Sequence, residues 1–420
     1  MPPPARALRQ VSLRDARRLA VVKQRLAGPR AAADAEGILA LVRELGCLQL
    51  DPISYVAKSH LLVTWSRVGA FDPAALDQLL WTDRTLFEYF AHAAAIVLTE
   101  DYPIHRFQMR RAWTSDADYA RRIREWYADS APLRRYIVAQ LRKRGPLRSR
   151  DLEDKSERDW RSGGWTNERN VGRMLDIMWT KGLLMVVGRS GAQRWWDITE
   201  RWLPEWTPRD RLGDAQVVRR SSQRSLRALG VATPRHIQRH FTRFMYPNLK
   251  TVLARLRGEG VVERVEVLDA DGAPFPDEWF VHAEDLPLLG LLQAGNWDPR
   301  TTLLSPFDNL ICDRDRTELL WNFLYRAEFY TPKEKRVYGF YALPILHGEE
   351  LIGRIDVEND RKGKRLVVHR VFAEPGAAVT RETGGGIATS LRDLATFLGT
   401  ENIHLDGEAP AAWKAALRRA

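Results

Sequence analysis

Two stretches of the chain repeat one order of predicted elements, three helices followed by a two-stranded ribbon. The first runs from PLRRYIVAQLRKRG through SRDLED and TNERNVGRMLDIMWTKG to the ribbon LLMVV-GRSGA-QRWWDI. The second runs from AQVVRRSSQRSLRALG through TPRHIQRHFT and YPNLKTVLARLRGEG to VVERVEVLDADGAPFPDEWFVH. The two copies share element order and little residue identity. This order is typical of a winged helix, whose third helix or wing enters a DNA groove.

The segments on either side of the repeat differ from each other. The N-terminal part predicts helices, the first capped by Ser12 and the second closed by Gly46, with a mostly helical stretch from Tyr55 to Leu98. From Thr301, short apolar or alternating runs separated by Pro, Gly and Asp predict a small antiparallel β-barrel, followed by helices. The glycine-rich TGGGIA lacks the residues of a phosphate loop and predicts a flexible start to one of these helices.

These patterns predict an α+β chain of tandem winged-helix domains followed by a small β-barrel, curved for DNA binding. The length of 420 residues favours several domains. We place the first winged-helix domain at residues 1–120, the second at 121–208 and the third at 209–295. Residues 296–420 then form the barrel with its C-terminal helices, and the opening MPPPARALRQ is expected to be disordered.

Charge and cysteine content narrow the class of function. Lys and Arg total 65 against 54 Asp and Glu, a net charge of +11, and a positive field attracts polyanions such as nucleic acid. A genome rich in Arg codons would produce the same excess. Cys47 and Cys312 lie outside any metal-ligand spacing, and no apolar run reaches membrane-spanning length. We therefore expect a cytoplasmic, nucleoid-associated protein with no metal and no membrane contact.

The stretch LGCLQLDPIS places Gln49 and Asp51 two residues apart in an apolar run. One interpretation is structural, because Asp51-Pro52 begins a turn. The other is functional, because period-two spacing directs both side chains to one face of a strand. The residues alone slightly favour the structural interpretation.

Further candidates lie near the pair or in the repeated units. His60, Arg67 and His92 are near in sequence and either pack or line the same pocket. His236 and His240 have the spacing of metal ligands but lack a third ligand, so exposure or phosphate contact is the favoured interpretation. Of Trp195 and Trp196, one is expected in the core and one outward. The basic candidates for phosphate contact are Arg169, Arg173, Arg189, Arg194, Lys250 and Arg255.

Two long blocks of this chain resemble the AlkZ/YcaQ-like DNA glycosylase family. They are LGCLQLDPI…VAKSHLLVTWSRVGAFDPAALDQLL…LFEYFAH and LLSPFDNLICDRDRTELLWNFLYRAEFYTPKEKRVYGFYALPILHGEELIGRIDV. The resemblance implies winged-helix modules with a β-barrel. It also implies a catalytic motif at Gln49-Leu50-Asp51 of the Gln-x-Asp branch, whose members remove N7-alkylguanines and unhook interstrand crosslinks.

The resemblance implies a monofunctional glycosylase for N7-alkylated purines in base excision repair, with Gln49 and Asp51 catalytic. It would act without a cofactor, as a monomer, on double-stranded DNA carrying alkylated or crosslinked purines. Two other classes compete with it. A non-catalytic winged-helix DNA-binding regulator has no use for the Gln49 and Asp51 pair. A winged-helix scaffold for protein contact would show no salt-dependent DNA affinity.

Overall fold

The computed structural model describes residues 7–156, 159–160, 169–242, 245–400 and 402–419. The helices are α1 (Leu13–Lys23), α2 (Ala35–Leu45), α3 (Ser59–Val68), α4 (Pro73–Asp77), α5 (Tyr102–Arg111), α6 (Asp118–Asp129), α7 (Ala131–Arg144), α8 (Asn170–Thr180), α9 (Thr199–Trp202), α10 (Asp214–Leu229), α11 (Pro234–His240), α12 (Leu249–Gly258), α13 (Leu286–Gln293), α14 (Arg314–Trp321), α15 (Arg381–Leu398) and α16 (Ala411–Leu417). The strands are β1 (Arg9–Ser12), β2 (Cys47–Gln49), β3 (Leu86–Phe90), β4 (Ala94–Leu98), β5 (Leu147–Arg148), β6 (Leu184–Ser190), β7 (Gln193–Ile198), β8 (Val231–Ala232), β9 (Val262–Leu268), β10 (Trp279–His282), β11 (Thr301–Leu303), β12 (Ala342–His347), β13 (Glu350–Asp360), β14 (Arg365–Ala373) and β15 (Asn402–Leu405).

The chain forms two compact units, each built from separated segments. Unit 1 contains residues 1–76, 91–96 and 214–420, and unit 2 contains residues 77–90 and 97–213. The mixed α+β class expected from the sequence is confirmed. The four-domain division stays a prediction.

The N-terminal helices of unit 1 begin and end where the sequence places them, with one extension. The Ser12 side chain accepts a hydrogen bond from the Asp15 amide, which caps α1. Gly46 closes α2 at a φ of +82°, a conformation that glycine adopts without steric cost. The expectation of a disordered lead-in is wrong for Arg9 and Gln10, because β1 pairs in parallel with β9. That pairing partner lies more than 250 residues away and has no local signature.

The expectation of a mostly helical stretch between Tyr55 and Leu98 is wrong at its C-terminal end. The sequences LFEYF and AAIVL form β3 and β4. Aromatic and β-branched side chains fit a pleated, half-buried surface, and their burial in both strands overrides the helical reading.

Unit 2 contains the first of the repeated element orders. Helix α7 leads to the short strand β5, then to α8 and to the ribbon of β6 and β7. The three strands form one sheet in the order β5-β7-β6. The predicted helix start at Thr166 lies outside the described residues. Trp196 is buried and Trp195 is partly exposed, so the expectation of one tryptophan inward is confirmed.

The second repeated order lies in unit 1. Helices α10, α11 and α12 precede the ribbon of β9 and β10, which joins a sheet in the order β1-β9-β10-β8. Side chains from these helices and strands pack into one core around residues such as Leu226, Ile237 and Leu253. His236 and His240 are both buried here, so the expectation that they are exposed or contact phosphate is wrong.

The C-terminal part of unit 1 carries a five-stranded sheet in the order β11-β12-β13-β14-β15. Its first four strands are antiparallel, as expected, but β15 pairs in parallel with β14. A parallel neighbour requires a crossover connection, and α15 supplies it. The sequence pattern of β15 does not reveal this direction.

The glycine-rich segment is part of this crossover helix. Helix α15 is capped at Thr380, whose hydroxyl accepts from the Thr383 amide, so all three glycines lie inside the helix. A Cβ at Gly386 would stand 2.3 Å from the Thr301 hydroxyl. The expectation of a flexible helix start is therefore wrong, because the glycine allows α15 to approach β11 closely.

Candidate active site

The Gln49 side chain extends from the last residue of β2, and Asp51 lies in the loop that follows. Strand β2 lies beside β4 in its sheet, and the Leu50 amide between the two side chains donates to the Ala94 carbonyl over 2.8 Å. Both motif side chains are partly exposed. The strand ends before Asp51, so the pair stands at the junction of a strand and a loop.

The Asp51 carboxylate both stabilises a turn and has the environment of a functional group, so the structural and the functional interpretation are compatible. Its Oδ1 accepts the Ile53 amide over 2.8 Å, which is the expected turn. Partial burial raises the pKa of Asp51, and the Ile53 hydrogen bond offsets part of that rise. Desolvation disfavours the charged form, so the ionised Asp51 is more basic than an exposed aspartate. It can therefore hold a water molecule, accept its proton or stabilise a nearby cation.

The Gln49 amide is held by His92. The His92 Nε2 lies 2.9 Å from Gln49 Oε1, and His92 Nδ1 lies 3.1 Å from the His240 carbonyl oxygen. That carbonyl can only accept, so Nδ1 carries a proton. Burial lowers the pKa of His240 to about 3, with His92 and Arg316 acting in the same direction, so the His240 ring is neutral.

The proton count on His92 decides which end of the Gln49 amide faces the site. A charged ring donates from Nε2 to Oε1 and leaves the Gln49 amino group outward. A neutral ring accepts at Nε2. The Gln49 amino group then faces His92, and the Gln49 carbonyl oxygen faces the site. In either state, His92 restricts Gln49 to a defined orientation beside Asp51.

The loop that contains Asp308 and Asn309, in the C-terminal sequence block, packs against β2. Asn309 is buried, and its amide nitrogen donates to the Cys47 carbonyl over 2.9 Å. The preceding Asp308 forms a fully buried ion pair with Arg67. Arg67 also donates from Nε to the Gln24 carbonyl over 3.0 Å. This loop therefore fixes the strand that carries Gln49.

The loop after Asp51 is tied to the end of the β13 and β14 hairpin. The Tyr55 hydroxyl donates to Glu358 over 2.7 Å, and His369 lies 2.9 Å from the same carboxylate oxygen. Arg361 donates to the Ser54 carbonyl over 2.8 Å. The hydrogen bonds from Tyr55 and His369 lower the pKa of Glu358, which keeps this carboxylate ionised. The C-terminal end of the Asp51 loop is thereby tied to this hairpin.

The candidates near the motif have different settings. His92 contacts Gln49 directly. Arg67 is fully buried, and its guanidinium is committed to Asp308 and Gln24, so the structure gives it a supporting position in place of a pocket wall. His60 lies in the first turn of α3 and is partly buried, and its part in the site stays a prediction. Sequence reasoning missed Asn309, Tyr55 and Glu358, for which no local pattern exists.

The six basic candidates divide into two groups. Arg189 binds Glu88 through two nitrogens at 2.5 and 2.7 Å. Arg194 binds Asp176 at 2.6 Å, and Arg173 stacks 4.5 Å from the centre of the Trp160 ring. These three already have intramolecular partners. Arg169, Lys250 and Arg255 are exposed, and Arg189 also remains exposed near the end of β6 despite its ion pair.

Comparison with known proteins identifies the family. A model of AlkZ-like DNA glycosylases matches residues 42–397, which include the Gln49 and Asp51 motif and the loop of Asn309. The chain belongs to the AlkZ-like DNA glycosylase family. It is accordingly an enzyme, a hydrolase of N-glycosidic bonds in DNA.

A solved structure shares the fold of this AlkZ-like chain. It is the DNA glycosylase AlkZ of Streptomyces sahachiroi, with a TM-score of 0.62 and 15% sequence identity. The match covers 95% of this chain and 100% of that one. In the described ranges, no helix has the length and apolarity needed to cross a membrane.

Proposed function

We infer that this AlkZ-like enzyme removes N7-alkylated purines from double-stranded DNA, including purines held in interstrand crosslinks, as a step of base excision repair. The observation that carries this function is the desolvated Asp51 carboxylate beside the anchored Gln49 amide. A regulator that only binds DNA needs neither group. The repeated helix-and-ribbon segments are proposed to act as winged helices that bind the duplex.

The chemistry of the lesion explains why one carboxylate suffices. An N7-alkylated guanine is cationic, so its glycosidic bond already has a good leaving group. The reaction then requires stabilisation of an oxocarbenium-like sugar and delivery of water. Asp51 supplies negative charge to the sugar and accepts the proton of the water. Gln49 orients the water or the sugar through its amide.

The motif favours hydrolysis over a lyase step. A Schiff-base mechanism needs an amine nucleophile, and the motif Gln49-Leu50-Asp51 contains no lysine. We therefore propose a monofunctional enzyme whose product is an abasic site. It would act as a monomer in the cytoplasm, on the nucleoid.

The partial exposure of the motif supports activity on tethered bases. A base crosslinked to the opposite strand cannot swing fully into a closed pocket. Gln49 and Asp51 lie at a strand end and both retain contact with solvent. A carboxylate in such a position can reach a deoxyribose without enclosing the base.

Parallel single-turnover excision on three duplexes tests the proposed substrate class. We expect cleavage of an N7-methylguanine duplex and of a flexible N7–N7 crosslink at rates within about tenfold, a barrier difference of ~1.4 kcal/mol. An unmodified duplex should remain intact because neutral guanine is a poor leaving group. Excision of the monoadduct alone would indicate a closed pocket. Salt-dependent binding without any excision would indicate a regulator.

The pH dependence of excision should report the burial of Asp51. The ionised carboxylate is the active form, and burial raises the pKa of Asp51. Excision of N7-methylguanine should therefore fall on acidification at a pH above the ~3.9 of an unperturbed aspartate. Single-turnover rates across the acidic range, with folding monitored by circular dichroism, provide the measurement. A rate that stays constant down to pH 4 would contradict a catalytic Asp51 carboxylate.

A further inference from the structure

A loop between α14 and β12 displays an exposed aromatic side chain. We name residues 328–339 the Tyr330 loop. Tyr330 is 85% exposed, more than any other large apolar side chain in the described part of the chain. Lys333 and Lys335 are also exposed, within five residues of the ring. Nucleic-acid-binding proteins use exposed aromatic rings beside cationic side chains as platforms on which bases stack.

The Tyr330 loop is held closed by its own first residue. The Glu328 carboxylate accepts three successive backbone amides, from Val337 at 3.0 Å, Tyr338 at 2.8 Å and Gly339 at 3.1 Å. Arg336 donates from Nε to the Thr331 carbonyl over 2.8 Å. These bonds preorganise the loop, so presenting Tyr330 to a partner requires little further ordering.

A chain of aromatic contacts connects the Tyr330 loop with the catalytic motif. The Tyr330 ring centre lies 4.7 Å from that of Phe329, and Phe329 lies 6.5 Å from Tyr341. The Tyr341 ring lies 6.5 Å from Tyr55, in the loop that follows Asp51. Tyr55 also contacts Phe340 at 4.8 Å, just beyond the Tyr330 loop. The exposed ring is thus only a few side chains from the carboxylate.

We propose that the Tyr330 loop is a DNA-contacting element in which Tyr330 stacks on a base beside the lesion while Lys333 and Lys335 bind flanking phosphates. The proposal rests on the proposed function, since a sugar at Asp51 brings the neighbouring nucleotides to this loop. Every base offers a face for stacking, and such a contact is independent of sequence. A stacked tyrosine would hold the unpaired neighbourhood of the damaged nucleotide open during hydrolysis.

The charges of the loop favour DNA over a protein partner. Lys333 and Lys335 flank Glu334, and Arg336 follows them. The carboxylate of Glu328 is occupied by backbone amides, so the face of the loop is cationic. A ring with adjacent ammonium groups matches the stacking face of a base together with its flanking phosphates.

The test uses Tyr330→Ala, Tyr330→Phe and the pair Lys333→Gln with Lys335→Gln in the full chain. The probe is a duplex with 2-aminopurine next to N7-methylguanine, and the fluorescence of the 2-aminopurine changes when it leaves the stack of the duplex for the Tyr330 ring. Loss of the ring should lower excision by about 5- to 150-fold and remove the fluorescence change, and phenylalanine should rescue both. The double lysine variant should reduce the slope of log affinity against log salt by about 2.

Leu291→Ala, an exposed apolar truncation on α13, is the control for a general surface effect. Wild-type excision and fluorescence by Tyr330→Ala would overturn the proposal, as would slower excision with an unchanged fluorescence signal. Affinity for a lesion-free duplex is measured in parallel. If the wild type excises nothing, the proposed function fails. In that case, weaker binding of the lesion-free duplex by the Tyr330 and lysine variants would support the DNA contact of the Tyr330 loop, and unchanged binding would contradict it.

Discussion

Replacing Asp51 by asparagine should lower the single-turnover excision of N7-methylguanine by about 10²–10⁴-fold while DNA affinity is retained. A general base or electrostatic carboxylate contributes an effect of this size. Asparagine keeps an oxygen that can accept the Ile53 amide, so the turn at 2.8 Å should survive. The loss would therefore report the charge and basicity of Asp51 and leave the backbone geometry unchanged.

The same variant should not lose stability. Because burial raises the pKa of Asp51, the ionised group is less favourable in the folded chain than in the unfolded chain. That cost is present at neutral pH and disappears as the pH falls through the raised pKa. Asp51→Asn removes it at every pH, so the thermal midpoint at pH 7 should stay equal or rise slightly.

Asp72→Asn is the matched control, because Asp72 accepts the Ala74 amide in an equivalent turn and is exposed. It should leave excision unchanged. Excision at the wild-type rate by Asp51→Asn would remove Asp51 from the mechanism. A falling thermal midpoint would show that its role is structural.

Replacing Arg67 by methionine should lower the free energy of unfolding by about 3–5 kcal/mol. The Arg67 and Asp308 side chains are both fully buried, and their ion pair is supplemented by Gln24 and Ser66. Removal of one partner leaves an uncompensated buried charge, which is strongly destabilising. Chemical denaturation of wild type and variant measures the difference.

A second substitution separates lost charge pairing from lost volume. Arg67→Met combined with Asp308→Leu should recover part of the stability, since an apolar pair of similar volume often replaces a buried ion pair well. Arg25→Met, which breaks the more exposed pair with Glu44, is the control and should cost no more than about 1 kcal/mol. An effect of Arg67→Met as small as that of Arg25→Met would contradict the assignment of a buried structural pair.

Local sequence determined much of the helical framework. The cap at Ser12, the stop at Gly46 and the order of helices and ribbon at 214–282 all agree with the pattern of residues. Such features depend on side chains within four residues of one another, so a single segment contains the needed information. The family blocks and the Gln49-Leu50-Asp51 motif could likewise be recognised from the sequence, because each is a continuous stretch of residues.

Tertiary structure decided the setting of that motif. His92 meets Gln49 from 43 residues away, and Asn309 holds the backbone of Cys47 from 262 residues away. The sequence makes Arg67 a candidate for the pocket, whereas the fold places it in a buried ion pair with Asp308, 241 residues away. The parallel pairings of β1 with β9 and of β14 with β15 also depend on distant partners. Burial and hydrogen bonding between remote segments leave no periodic trace in either segment, so the sequence identified the candidate pair while only the fold determined what orients and desolvates it.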